Sequence, residues 1–153
     1  MADWRDLADA RLDDLYARVP AMPGCDGRCH LSCGPVEMSP RERGRIREAG
    51  ITITPAAEAV ALLPAFTCDA LTPDNRCAVY GRRPMICRLW GAVEAMRCPF
   101  GCEPEGGYLT AAEGAELLRE SLAAGGAEVP GGPSALPAGL RRSRTDGAVA
   151  AHG

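Results

Sequence analysis

Apolar side chains recur at helical intervals near the start of the chain, where Trp4, Leu7, Ala8, Leu12, Leu15, Tyr16 and Val19 share one face and Asp and Arg fill the other. Pro20 and Pro23 end the pattern, so an amphipathic helix that covers a core or a dimer partner is predicted. Ser39-Pro40-Arg41-Glu42 combines a Ser cap, a first-turn Pro and a Glu three residues on, which predicts a helix over about 40–49 stopped by Gly50. Thr54-Pro55 opens a short Ala-rich helix that runs to about Leu63, and Pro64 closes it. Between Phe66 and Cys102 the periodicity fades. Thr72-Pro73-Asp74-Asn75 is a turn signal between two extended segments, 66–70 and 76–80, which predicts a small hairpin. Pro84–Leu89 suits one helical turn, and Cys98-Pro99-Phe100-Gly101-Cys102 a tight irregular turn. Thr110-Ala111-Ala112-Glu113 is a second capping box, followed by Leu117, Leu118 and Leu122 on one face and by Gly125-Gly126 as a stop.

Composition changes this picture in one respect. Hydrophobic residues make up 46% of the 153 positions, but Leu, Ile, Val and Phe together number only 27, and alanine supplies most of the remainder. Ordering a residue costs on the order of 1–2 kcal/mol of backbone entropy, and burying Ala returns little. The core is therefore thin, and something beyond apolar packing has to help hold the fold. Residues 125–153 carry seven Gly and three Pro, which predicts a disordered tail in which Arg141, Arg142 and Arg144 are a solvated charge cluster. The predicted organisation is an N-terminal amphipathic helix in 1–24, a cysteine-cluster domain with its C-terminal helix in 25–124, and the tail. The predicted fold class is mainly α with a small irregular cysteine-rich α+β core, its short helices and at most one hairpin organised around a metal site.

Charge and residue usage exclude several functions. The net charge of -3 provides no global field for nucleic acid or an anionic membrane. All 17 basic residues are Arg, which removes Schiff-base lysines, phosphate-loop lysines and lysine bases. Only two His are present, and His152 is next to the last residue, so a His-based triad is excluded in practice. No stretch has the length of a membrane span and residues 1–15 do not resemble a signal peptide, which leads to the expectation of a cytoplasmic protein with reduced thiols.

Eight cysteines remain as the candidate chemistry: Cys25, Cys29, Cys33, Cys68, Cys77, Cys87, Cys98 and Cys102. Thiolates are soft ligands for zinc, iron-sulfur clusters or copper(I). The C-x3-C-x3-C start would align three sulfurs along one helical face, whereas Gly24, Gly27 and Gly34 favour a partly looped segment folding around a metal. Among known patterns, the chain lacks the C-x2-C knuckle of zinc fingers and the C-x2-C-x2-C-x3-C-P run of bacterial ferredoxins, and it misses the radical S-adenosylmethionine spacing by one residue. Arg82, Arg83, Arg88 and Arg97 crowd the second cysteine group and are candidates for balancing the negative charge of a thiolate centre; ordinary surface Arg is the equal alternative. His30, beside Cys29, is a lesser candidate ligand, and a polar turn residue is its commoner role. Structural zinc sites in small domains contribute about 10–16 kcal/mol, against a typical domain stability of about 5–15 kcal/mol, so a metal is able to support a thin core.

The run Cys68…Arg76-Cys77-Ala78-Val79-Tyr80-Gly81-Arg82-Arg83-Pro84-Met85-Ile86-Cys87-Arg88 resembles the C…G-x-C-x-I-Y-x-x-R-P-x-x-C-R signature of the YkgJ-type cysteine-cluster family, described as zinc- or iron-chelating. Upstream, Cys25 to Cys33 with Val36, Ser39, Glu42 and Arg45-Ile46 is similar to that family's C-x-x-C-x-x-C-C block and following helix, and Cys98-Pro99 to its closing step. The resemblance covers about residues 25–102 and implies metal ligation by Cys25, Cys29, Cys33, Cys68, Cys77, Cys87 and Cys98. The family's Cys-Cys doublet is Cys33-Gly34 here, so Cys102 is the candidate replacement, giving two four-cysteine sites or one larger cluster. Some members of the wider family are linked to protein lysine methylation, but no Gly-rich methyl-donor site is visible.

The leading expectation is a small cytoplasmic protein that holds zinc or an iron-sulfur cluster through eight cysteines, for metal carriage, redox sensing or electron transfer. Its expected partner is the metal ion or cluster, with no membrane or nucleic acid. The alternatives are a metal- or cluster-dependent protein-modifying enzyme, for which no positioned base is visible, and a structural protein stapled by four disulfides.

Overall fold

The computed structural model describes residues 1–25 and 28–127, so the tail expected over 125–153 lies, from residue 128 on, outside the described residues. Five α-helices occur in chain order: α1 (Trp4–Tyr16), α2 (Pro40–Glu48), α3 (Ala56–Ala61), α4 (Met85–Leu89) and α5 (Ala111–Ala124). Single 3-10 turns lie at Arg28–Ser32, Tyr80–Arg82 and Glu94–Met96.

The apolar face of α1 buries Ala8, Leu12 and Leu15. Its helix ends at Tyr16, before Val19, because residues 18 and 19 switch to bonds three residues back, Arg18 N–H to Leu15 O at 3.1 Å and Val19 N–H to Tyr16 O at 3.1 Å. Pro20 disfavours continued α geometry at the residue before it, so the last turn tightens. Both capping boxes form: Ser39 and Glu42 at the start of α2, Thr110 and Glu113 at the start of α5. α1 packs on α5 and on α2, and α4 packs on α5.

Two small apolar clusters make up the core. The first joins Leu12, Leu15, Met85, Leu89, Val93, Leu117 and Ala124; the second joins Met38, Ile46, Ile53, Ala70 and Val79, with Cys68 and Cys77 packed against it. Helix α2 is charged almost throughout and buries Arg41 and Glu42 beside Ile46. Polar contacts therefore do most to fix it. The Arg41 guanidinium donates to Asp9 of α1 at 2.7 and 2.8 Å and to Glu48 at 2.8 Å, and Arg45 donates to Asp13 at 2.9 Å.

No strand forms among the described residues. The expected hairpin is reduced to one antiparallel bridge, Leu71–Cys77, around a turn in which Asn75 takes φ 63° and Thr72 N–H donates to Arg76 O at 2.8 Å. The chain turns at 69–70 and again at 78–79, which leaves too few extended residues on either side for a ladder.

Candidate metal centre

One carboxylate fixes the helices around the thiol-bearing segments. Glu42 is 2% exposed and accepts from Ser39 N–H (2.9 Å), Ser39 O–H (2.9 Å), Tyr16 O–H (2.7 Å) and Met85 N–H (2.8 Å). It thus ties the end of α1 and the start of α4 to the cap of α2. Burial, and after it the Glu42 charge, raise the Tyr16 phenol well above its ordinary range. The guanidinium of Arg88 lies 4.0 Å from the Tyr16 ring centroid and that of Arg45 lies 5.7 Å from it, so cations cover the ring that Glu42 polarises.

All eight cysteines line a single cavity of about 620 Å³. They arrive from four stretches. Cys29 lies in the 3-10 turn at 28–32, with Cys25 before it and Cys33 just after it, Cys33 N–H donating to His30 O at 3.1 Å. Cys68 and Cys77 flank the 72–75 turn against the second apolar cluster, Cys87 is carried by α4, and Cys98 and Cys102 hold the turn at Gly101, which takes φ 83°. Cys25 is exposed and the other seven are half-buried. His30 also lies on the wall, and among the described residues no Asp or Glu does. Ligand groups that are mostly sulfur suit soft or borderline cations such as zinc, copper(I) or iron in clusters, and do not suit the hard oxygen-seeking calcium and magnesium. As the side chains stand, no three of the described His, Cys, Asp and Glu groups close on one ion.

The thiols are coupled electrostatically. Burial pushes the Cys33 thiol up to about 11, reinforced by Cys68, Cys29 and Cys77. Burial also pushes Cys87 up to about 12; Cys68, Cys77 and Cys33 add to the rise, and Arg83 opposes it. Cys29 is raised by burial and by Cys25 and Cys98, and Cys68 by burial and by Cys77. Each of these thiols resists ionising alone beside its neighbours, so a cation is what stabilises several thiolates together.

The four Arg singled out from sequence are placed differently from one another. Arg83 lies on the cavity wall, its guanidinium 3.8 Å from the Tyr80 ring centroid and donating to Cys87 O at 3.4 Å. Arg82 turns to α2, donating to Arg45 O at 2.8 Å. Arg88 reaches Arg83 O at 2.7 Å and Gly81 O at 2.9 Å while covering Tyr16, and burial lowers its affinity for a proton. Arg97 lies 4.3 Å from the Tyr108 ring centroid. Arg76 is on the wall without having been singled out, as are Met22, Ile86 and Trp90. The buried indole N–H of Trp90 has no acceptor. Its signal in the sequence was present but weak: Trp90 follows Cys87 by three residues, the spacing that puts two side chains on the same helical face.

A helical scaffold that brings eight thiols to one cavity defines a cysteine-cluster protein. The family model described as "Putative zinc- or iron-chelating domain", CxxCxxCC, matches residues 24–118. The chain belongs to this family, in agreement with the resemblance read from Cys68 to Arg88. No curated protein and no solved structure matches the chain. No helix of the described residues is long and apolar enough to cross a membrane.

Proposed function

We propose that this protein binds zinc or iron as thiolate complexes in the eight-cysteine cavity and serves to carry the metal within a reducing compartment. The observation that carries this reading is that thiols from four separate stretches meet at one cavity, with no carboxylate among its described lining residues. Two arginines on that wall, Arg76 and Arg83, suit a centre whose thiolates outnumber the charge of the metal. The unpartnered indole N–H of Trp90 suits a sulfur acceptor that gains negative charge on loading. Thiols held as high as those of Cys33 and Cys87 keep their protons at neutral pH until a cation displaces them, so loading releases protons. Carriage is favoured over catalysis because thiols dominate the described lining, which brings no carboxylate or second imidazole to stand beside His30. The test is elemental analysis with an absorption spectrum of anaerobically purified protein. Stoichiometric zinc in a colourless protein, or iron and acid-labile sulfide in a brown one, is the expected result. Metal-free protein with four disulfides overturns the reading.

A further inference from the structure

We propose that Trp90 sets how tightly the cavity holds its metal, by donating its buried indole N–H to a thiolate sulfur once a cation is bound. This inference rests on the metal-binding reading above and gives that site a determinant of affinity that is not itself a ligand.

Trp90 directly follows α4, at φ -60° and ψ 123°, and lines the cavity together with Cys87 and Cys98. The chain on both sides of it is pinned. Leu89, Ala92 and Val93 are each 2% exposed or less, and Leu89 O accepts from Ala92 N–H at 3.0 Å and from Val93 N–H at 3.2 Å. Gly91 N–H donates to Met96 O at 2.7 Å. Gly91 takes φ +85°, and a Cβ there would stand 3.0 Å from Met22 Cε and 3.9 Å from Cys98 Cβ, so the backbone next to Trp90 lies close against a thiol-bearing segment.

A buried indole N–H ordinarily finds an acceptor, and one left without a partner loses its hydration for nothing in return. Among the described residues none accepts from Trp90. No carboxylate is among the described lining, and its most numerous polar groups are thiols. A neutral thiol sulfur accepts weakly. A thiolate bound to a cation keeps lone pairs and negative charge, so an N–H donated to it makes a charge-assisted bond. The same donor is thus unsatisfied beside thiols and satisfied beside metal thiolates, and the difference favours loading by roughly ten- to a hundred-fold in affinity. A tryptophan that only fills space would support both forms equally and leave the affinity unchanged.

The experiment uses the full reduced chain under anaerobic conditions, with Zn²⁺ alone as the probe. Affinity is measured by competition with a chromophoric chelator, and the indole N–H resonances are followed by NMR through the same titration. Trp4, the second of the two tryptophans, lines a different hollow between α1 and α2 and serves as the internal reference. On loading, the Trp90 indole proton is expected to move downfield and to exchange more slowly with solvent, while that of Trp4 stays in place. Trp90→Phe is expected to take up as many zinc ions as wild type and to hold them roughly ten- to a hundred-fold more weakly. Its melting temperature falls further below wild type in the loaded form than in the metal-free form. A Trp90 resonance indifferent to zinc, or a Trp90→Phe chain with wild-type affinity, overturns the assignment while leaving metal binding intact. Should Trp90→Phe not fold, the wild-type resonances decide the matter. In a chain that takes iron instead, the substitution is expected to lower the reduction potential, because hydrogen bonds to the sulfurs stabilise the more negative reduced form; an unchanged potential overturns the assignment. A chain that takes up neither zinc nor, after anaerobic reconstitution, iron overturns the underlying reading instead.

Discussion

Two residues show how far a local signal reaches. Ser39 and Glu42 are legible as a capping box from spacing alone, and the box forms. The sequence gives no sign that the same carboxylate also takes Tyr16 O–H and Met85 N–H from two other helices. Glu42→Ala strips acceptors from several buried donors and is expected to cost roughly 3 kcal/mol or more in denaturant unfolding, and Glu42→Gln less, since it keeps the shape and one acceptor. Gly125 is a second case. It reads as a helix stop, but its φ is -84°, and Gly126, at φ 90°, is the left-handed residue. What requires Gly at 125 is space: a Cβ there would lie 1.8 Å from Ser39 Oγ and 3.2 Å from Ser121 O. Gly125→Ala is expected to destabilise by about 1–3 kcal/mol, more than Gly126→Ala loses through backbone strain alone, with thermal melting as the measurement.

Among the elements, α2 depends on charge. Arg41 is 8% exposed and shared between Asp9 of α1 and Glu48 of its own helix. Its hydrogen bond holds the Asp9 carboxyl below the usual carboxylate range. A carboxylate lowered on folding contributes stability that is fully present above its unfolded value and is lost as pH falls through the folded one. Stability is therefore expected to decline from about pH 4 downwards, and Asp9→Asn is expected to flatten that acid limb in chemical unfolding measured at successive pH values. Helix identity was legible for all five segments because caps, prolines and apolar spacing are local. The hairpin was not, because turns at 69–70 and 78–79 shorten the extended segments to a single bridge, and that outcome is set by packing of Ala70, Val79 and the two cysteines on Ile46 and Ile53.

For the molecule as a whole, two apolar clusters of modest size have to hold the described residues together. A ligand that binds only the folded state adds stability in proportion to the logarithm of its concentration over its dissociation constant. Chelation of the metal is accordingly expected to lower the melting temperature and to speed amide hydrogen exchange most in residues 25–102, where the thiols lie, and least in the α1–α5 contact, which packs without them. Equal exchange with and without metal would count against a supporting role for the centre.

The sequence by itself determined the helices and their caps, the poverty of large apolar side chains, the all-sulfur chemistry and, through the run from Cys68 to Arg88, the family. These are properties of composition and of spacings within a few residues. The tertiary structure alone decided that all eight thiols share one cavity, that Arg83 and not Arg82 or Arg97 stands on its wall, and that Glu42 joins three helices. Such facts depend on which distant segments pack together. Packing is a sum over many weak contacts across the chain, and no short stretch of residues encodes it.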